Sequence, residues 1–150
     1  MDESTNNISL RQATYADTKF AYKVKKAALG KYADKTYDDW NIQFLINYRV
    51  KQWILPTVQV ILVNGVDVGW IGMSYRKNRV DIDDIYILPS HQRHGIGRHV
   101  LGGIIAEATR LNKPVRVWAM KVSTAIHFYE KLGFTVINEI ETHWQMEAKV

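Results

Sequence analysis

Apolar and polar positions change period along this chain, and the changes divide it into elements. Ile8, Leu10 and Gln12 alternate with Ser9, Arg11 and Ala13, the two-residue repeat of a short strand. Thr14 and Asp17 have the spacing of a capping box, which predicts a helix running to Leu29, where Gly30 stops it. Asp38 or Asp39 can cap a second helix with Trp40, Phe44, Leu45 and Tyr48 on its apolar stripe. Pro56 ends the helical region. Residues 57–63 and 66–75 flank Asn64 and Gly65, a pair suited to the positive φ angles of a two-residue hairpin turn. Arg76 to Arg79 form another turn, leading into a third strand over 80–87.

From Gly95 the period becomes helical, with Ile96, Val100, Leu101, Ile104, Ile105, Ala108 and Leu111 on one face until Asn112 to Pro114. Val115 to Ala119 reads as a buried strand, and Thr124 to Leu132 as a short helix closed by Gly133. Residues 134–139 and 142–148 read as a last pair of strands. The predicted order is β-α-α-β-β-β-α-β-α-β-β. This is a mixed α/β sheet in which an antiparallel meander feeds a right-handed strand–helix–strand crossover. No linker, low-complexity run or repeat interrupts residues 1–150, so they read as a single domain.

Composition narrows the picture. With 150 residues and 47% hydrophobic content, the chain can build one core. It has no cysteine, which excludes disulfides, thiolate metal ligands and a cysteine-borne covalent intermediate. No apolar run approaches the roughly 20 residues of a spanning helix. Met1 to Thr5 is too acidic and polar for a secretory signal. A cytoplasmic protein with no membrane partner is expected. Lys and Arg number 20 against 15 acids, a net charge of +5 that suggests an anionic partner.

That excess falls in two places. One is the first helical region, where Lys19, Lys23, Lys25 and Lys26 read as a solvated face. They are not interleaved with aromatics as a nucleic-acid surface would be, so no nucleic acid is expected. The other runs from Pro89 to His99 and holds Arg93, Arg98, His91, His94 and His99 with no acid, just after Asp81, Asp83 and Asp84.

The second cluster carries the chemistry. Strand, proline-broken loop and helix start follow one another from Ile85 to Gly97. Gly95 and Gly97 let the main chain approach an anion closely. The first N–H groups of the helix have no intrahelical partner and point at whatever binds there. A pyrophosphate suits this loop; a simple tight turn is the plain alternative. The dinucleotide fingerprint fails because its sixth position is Val100, and no Gly-Lys-Ser/Thr follows for a Walker loop. The three histidines lack a standard ligand spacing and no carboxylate lies within the loop, so no metal is expected.

Residues Gln92 to Gly97 (QRHGIG) match the [QR]-x-x-G-x-[GA] loop of the GNAT superfamily of acyl-CoA-dependent N-acetyltransferases. The strand from Asp83 to Pro89 resembles the fourth strand that precedes this loop, and Ala125 to Phe134 resembles the second hallmark, a helix and glycine turn entering the sixth strand. The two segments are spaced as in that family, and the element order over 8–148 agrees.

The resemblance implies a site and a mechanism. The amides of Gln92, Arg93, His94, Gly95, Ile96 and Gly97, with Arg98, would hold the phosphates of acetyl-CoA. The main chain of Ile85 and Ile87 would pair with the pantetheine arm, and an N–H near Ile85 or Tyr86 would polarise the thioester carbonyl. Transfer would go directly to a primary amine of a small molecule or peptide. Tyr129 would protonate the leaving thiolate, since a phenol with an ordinary pKa near 10 is still protonated at neutral pH. Asp83 or Asp84, or water, would take the proton of the amine. Alternation puts them on opposite faces, and Asp83 is preferred because relatives with a carboxylate base place it there. Tyr32, Trp40 and Trp144 are expected to line the acceptor site, where aromatic rings suit a cation. One departure is Val122, where many relatives carry an asparagine that contacts the pantetheine arm; Ser123 or Thr124 could supply a hydroxyl instead. The alternative is a non-catalytic acyl-CoA sensor or docking module. Dimers are common among such domains, so a homodimer is an open expectation.

Overall fold

Asn64 and Gly65 take φ angles of 50° and 81°, the left-handed pair that a two-residue hairpin needs, and the strands they join are hydrogen-bonded antiparallel. The computed structural model describes residues 7–29 and 57–149. Over these, β1 (Ile8–Gln12), a 3-10 turn (Tyr15–Asp17), α1 (Thr18–Leu29), β2 (Val58–Val63), β3 (Val66–Tyr75) and β4 (Val80–Ile87) come first. A second 3-10 turn (Pro89–His91), α2 (Ile96–Arg110), β5 (Val115–Met120), α3 (Ala125–Lys131), β6 (Thr135–Glu139) and β7 (His143–Ala148) follow. The helix expected around residues 38–48 lies outside the described residues. The strands hydrogen-bond in the order β1-β2-β3-β4-β5-β7-β6, and β4 and β5 are parallel. This is the mixed α/β sheet that the periodicity predicts.

The described residues fall into two compact units, one drawn from residues 1–72 and 84–97 and the other from residues 73–83 and 98–150. In the first, Ala21, Val24, Lys25 and Ala28 form the buried stripe of α1. Ala13, Ala21, Val24, Val58, Val60 and Trp70 make a core on which Phe20, Leu62, Tyr86 and Leu88 pack. The Trp70 indole N–H donates to the Ala21 carbonyl at 3.1 Å, so its polar end is satisfied although only 1% of the residue is exposed. The capping box is present, but it starts the 3-10 turn ahead of α1. There the Asp17 carboxylate accepts the Thr14 N–H at 2.8 Å and two N–H groups of Arg11 at 3.0 and 2.8 Å. Arg11 also reaches Asp67 at 3.0 Å. This arginine holds the Asp17 carboxyl below the usual carboxylate range.

In the second unit, Val115, Val117 and Ala119 of β5 are buried, alternating with Arg116 and Trp118. Arg116 donates to Glu147, its neighbour on β7, at 2.8 Å. Along α2, Val100, Leu101, Ile104 and Ala108 are buried at helical spacing. Asn112 ends that helix at φ 56°, and the Lys113 N–H returns to the Ala108 carbonyl at 2.8 Å. β6 is the last strand of the sheet and every residue in it is exposed. Ile137 is an extra residue in its pairing with β7, between the pairs Val136–Met146 and Asn138–Gln145.

Candidate active site

In the first unit, β4 runs into the loop through the 3-10 turn begun by Pro89. The side-chain amide of Gln92 donates to the Ile87 carbonyl at 2.9 Å and clips the loop to the end of its strand. Arg93 and Gly95 then adopt φ angles of 65° and 83°, which turn the chain into α2. Space does not require the glycine at 95, since nothing lies within 4 Å of an added Cβ; its left-handed backbone does. Ile96 is 1% exposed and anchors the start of the helix. Arg93, His94, Arg98 and His99 are exposed. Among the described residues, the N–H groups of Arg93, His94 and Gly95 bond to no backbone carbonyl, and Arg93 and Arg98 enter no ion pair. Open amides, a helix N-terminus and the Arg93 guanidinium, without an ion pair among the described residues, fit a phosphorylated co-substrate. No cluster of ligand-type side chains that could hold a metal occurs among the described residues.

The ladder between β4 and β5 comprises Val80–Val115, Asp81–Arg116 and Ile82–Val117. Ile85 and Ile87 lie beyond its last pair, on the stretch of β4 that belongs to the first unit. On its other side this stretch approaches β3 closely. A Cβ on Gly69 would collide with the Tyr86 carbonyl oxygen and lie 3.1 Å from the Ile87 Cα, and the Leu88 N–H donates to the Val68 carbonyl at 2.9 Å.

The three acids of β4 have different settings. Asp81 is taken up by Arg76 at 2.6 Å and Arg79 at 2.9 Å. Asp83 is exposed and accepts the Ser74 hydroxyl at 2.8 Å, within the second unit. Asp84, half-buried in the first unit, accepts the Tyr86 hydroxyl at 3.3 Å. Alternation along the strand is visible here, since Asp84 and Tyr86 share a face. The Tyr86 ring packs on Trp70 with centroids 5.3 Å apart, and the Lys25 ammonium lies 5.3 Å from its centroid.

In the second unit, Tyr129 sits on α3 between Phe128 and Phe134, with ring centroids 5.4 and 5.5 Å away. Its carbonyl accepts the N–H groups of Leu132 and Phe134, and Gly133 takes φ 95° to make this turn. The residue is 6% exposed, and burial pushes its phenol up to about 12. Among the described residues its hydroxyl has no hydrogen-bond partner. Ser123 accepts the Ala125 N–H at 2.8 Å and starts α3, while Val122 is exposed.

Trp144 is half-buried on β7 opposite Ala119, and the Lys121 ammonium lies 4.5 Å from its ring centroid. Lys121 also pairs with Glu139. Tyr32 and Trp40 fall outside the described residues.

Two residues escaped the sequence reading. Lys25 is buried rather than part of a solvated face; its position on the stripe of Ala21, Val24 and Ala28 was the available signal. Gly69 had none, because its need arises from a neighbouring strand.

Comparison with known proteins places these parts in a family. The family model for the acetyltransferase (GNAT) domain matches residues 56–136. An L-methionine sulfoximine/L-methionine sulfone acetyltransferase from Salmonella typhimurium is 34% identical over 110 residues. That alignment covers 69% of this chain and 63% of the relative's own length. The crystal structure of PaiA N-acetyltransferase from Thermoplasma acidophilum in complex with coenzyme A superposes with a TM-score of 0.83 at 17% identity, covering 96% of this chain and 99% of that one. Ard1 from Thermoplasma volcanium gives 0.69 at 22% identity, covering 95% and 97%. The two structures share the fold. The chain belongs to the GNAT acetyltransferase family.

Proposed function

We propose that this protein moves an acetyl group from acetyl-CoA directly to a primary amine of a small molecule, with Tyr129 as the acid. The observation that carries the proposal is the buried phenol of Tyr129, held protonated up to about 12 and without a hydrogen-bond partner among the described residues. A buried hydroxyl left unpaired costs about 1–3 kcal/mol, a cost that a bound partner would remove. Such a phenol has a proton to give at any physiological pH.

Acetyl-CoA supplies the thioester that the neutral amine attacks. The open amides of Arg93, His94 and Gly95, the start of α2, and Arg93 and Arg98 would hold its pyrophosphate. The main chain of Ile85 and Ile87 would pair with the pantetheine arm, and an N–H at Ile85 or Tyr86 would polarise the carbonyl. A β4 carboxylate would take the amine's proton. The chain has no cysteine to carry an acyl group, which supports direct transfer. The relative named for methionine sulfoximine and methionine sulfone makes a small amino-acid-like amine the first acceptor to try.

The test is thiol release from acetyl-CoA against an amine panel that includes L-methionine sulfone. Turnover is expected, and Tyr129→Phe should lower kcat by about 100-fold with the affinity for coenzyme A unchanged. Full activity of Tyr129→Phe across pH would remove Tyr129 from its role. Coenzyme A binding without turnover on any amine would favour a non-catalytic acyl-CoA-binding module instead.

A further inference from the structure

An acceptor ammonium must shed two protons on its way to an amide, and a β4 carboxylate would take only the first. Loss of that proton gives the attacking amine. The tetrahedral adduct then carries another proton on a positively charged nitrogen, and the amide forms only when it leaves. A carboxylate that has just been protonated cannot take the next one, so a second base is required. The second unit holds a basic group still without a task. His143 opens β7 and is the register partner of Met120, the last residue of β5. The ladder between β4 and β5 ends at Ile82–Val117, so this pair lies beyond it. Main-chain bonds fix the position from both sides. The Ile140 N–H donates to the His143 carbonyl and the Lys121 N–H to the Thr142 carbonyl, each at 2.9 Å. The ring is held as well, with Nδ1 2.7 Å from the Thr142 hydroxyl and Trp118 edge-on at 6.5 Å between centroids. Its Nε2 has no hydrogen-bond partner among the described residues. A neutral imidazole that donates Nδ1–H to Thr142 carries its lone pair on that nitrogen. Half-burial holds the ring below its ordinary value and keeps it neutral at physiological pH.

We infer that His143 is a catalytic residue that takes this second proton, on Nε2, as the tetrahedral adduct collapses to the amide. This rests on the acetyl-transfer reading above. Tyr129 lies on α3, which follows β5 after residues 121–124 and packs on it. Val117 and Ala119 form the buried face of β5, whereas Trp118 and Met120, with His143 beside them, belong to the other. Acid and base thus come from opposite faces of one strand, so the leaving thiolate and the new amide nitrogen do not compete for a single group. The charged groups of the surrounding strands are engaged elsewhere. Lys121, just past β5, pairs with Glu139 of β6 and lies over Trp144, whose side chain alternates to the other face. Arg116 and Glu147 share the face of His143 but pair with each other four positions along the strands. Glu141, in the turn before β7, is exposed. In the step, an N–H bond of the adduct breaks as one forms at Nε2, and the electron pair stays on the amide nitrogen. The C–S bond breaks, the oxyanion re-forms the carbonyl, and the sulfur takes the proton of Tyr129. The imidazolium then gives its proton to water, and the Tyr129 phenolate regains one from water.

The experiment follows thiol release from acetyl-CoA between about pH 5 and 9, with L-methionine sulfone at the head of an amine panel. It compares the unmutated chain with His143→Gln and His143→Ala, and coenzyme A binding is measured alongside by calorimetry. Only the neutral ring accepts a proton, so kcat of the unmutated chain should fall as pH drops through the folded imidazole value, below 6.5. A carboxylate alone would put that limb near about pH 4. His143→Gln should lower kcat at about pH 8 by about 100-fold and remove the imidazole limb. The KM for acetyl-CoA and the coenzyme A affinity should stay within about twofold. Free imidazole should raise the activity of His143→Ala severalfold, a rescue that a merely structural histidine would not show. An unmutated profile flat down to about pH 5 overturns the assignment while acetyl transfer stands. So does a His143→Gln protein with full kcat and the same limb, or a His143→Ala protein that binds coenzyme A normally and gains nothing from imidazole. No turnover of any amine by the unmutated chain, with coenzyme A bound, overturns the acetyl-transfer reading and this inference with it.

Discussion

Gly69→Ala isolates the close approach of β3 to β4. The added Cβ meets the Tyr86 carbonyl oxygen and lies 3.1 Å from the Ile87 Cα and 3.3 Å from its Cγ1. Two of these three atoms are main chain and cannot rotate away, so the strands must separate locally. Forcing a methyl into a packed site costs about 1–3 kcal/mol, and a main-chain obstacle belongs in the upper half of that range. At this chain length each kcal/mol moves the melting temperature by about 2–4 °C, so a fall of about 4–12 °C is expected. Gly72→Ala is the control on the same strand: its nearest obstacles are side-chain atoms of Trp70 and Val58, each at 3.9 Å. Neither glycine has a positive φ, so the difference between the variants reports space alone. Gly72→Ala should stay within about 0.5 kcal/mol of the unmutated chain. Thermal denaturation by circular dichroism measures both. A Gly69→Ala protein as stable as Gly72→Ala would refute the argument.

Tyr129→Phe should separate stability from turnover. Removing a buried hydroxyl that lacks a partner leaves the melting temperature unchanged or raised, by up to about 1 kcal/mol, whereas kcat falls; a large loss of stability would show a hidden hydrogen bond. Arg11→Met should cost about 1–2 kcal/mol in denaturant unfolding, because it strips a mostly buried carboxylate of its guanidinium. Asp17 is held below its unfolded value, so its contribution is fully present above about pH 4 and is lost as pH falls through the lower folded value. Arg11→Met should flatten that acid limb, and an unchanged limb would exclude Asp17 as its source. Gly95→Ala must place a side chain at φ 83°, at a cost of about 1–2 kcal/mol, and should weaken coenzyme A binding severalfold in calorimetry. Unaltered affinity would detach the loop's backbone from the co-substrate.

Strands, hairpin and helix ends were legible because each depends on neighbours close in the chain. Asn64-Gly65 needs only its own φ angles, and Gly133 stops α3 by the same local rule. The alternation that places Asp84 with Tyr86 was equally local. What each acid meets was not, since Ser74 reaches Asp83 from another strand and Lys25 comes to Tyr86 from a helix some sixty residues away. Lys25 also stands among Lys19, Lys23 and Lys26, so composition disguised a position that its helical spacing marks as buried. The left-handed backbone of Arg93 had no residue-type signal, because the glycine that usually reports such a turn sits two positions later. Tyr32 and Trp40, read from the sequence as acceptor contacts, lie outside the described residues.

The extra residue in β6 bears on how the protein behaves when concentrated. An outermost strand with Val136 and Ile137 exposed, followed by exposed Ile140, would template strand addition by another chain if it were straight. The bulge at Ile137 breaks the hydrogen-bonding rhythm of that rim, and Glu139 adds a charge beside it. Deleting Ile137 would regularise the rim, and light scattering at high concentration should then show aggregates that the unmodified chain does not form.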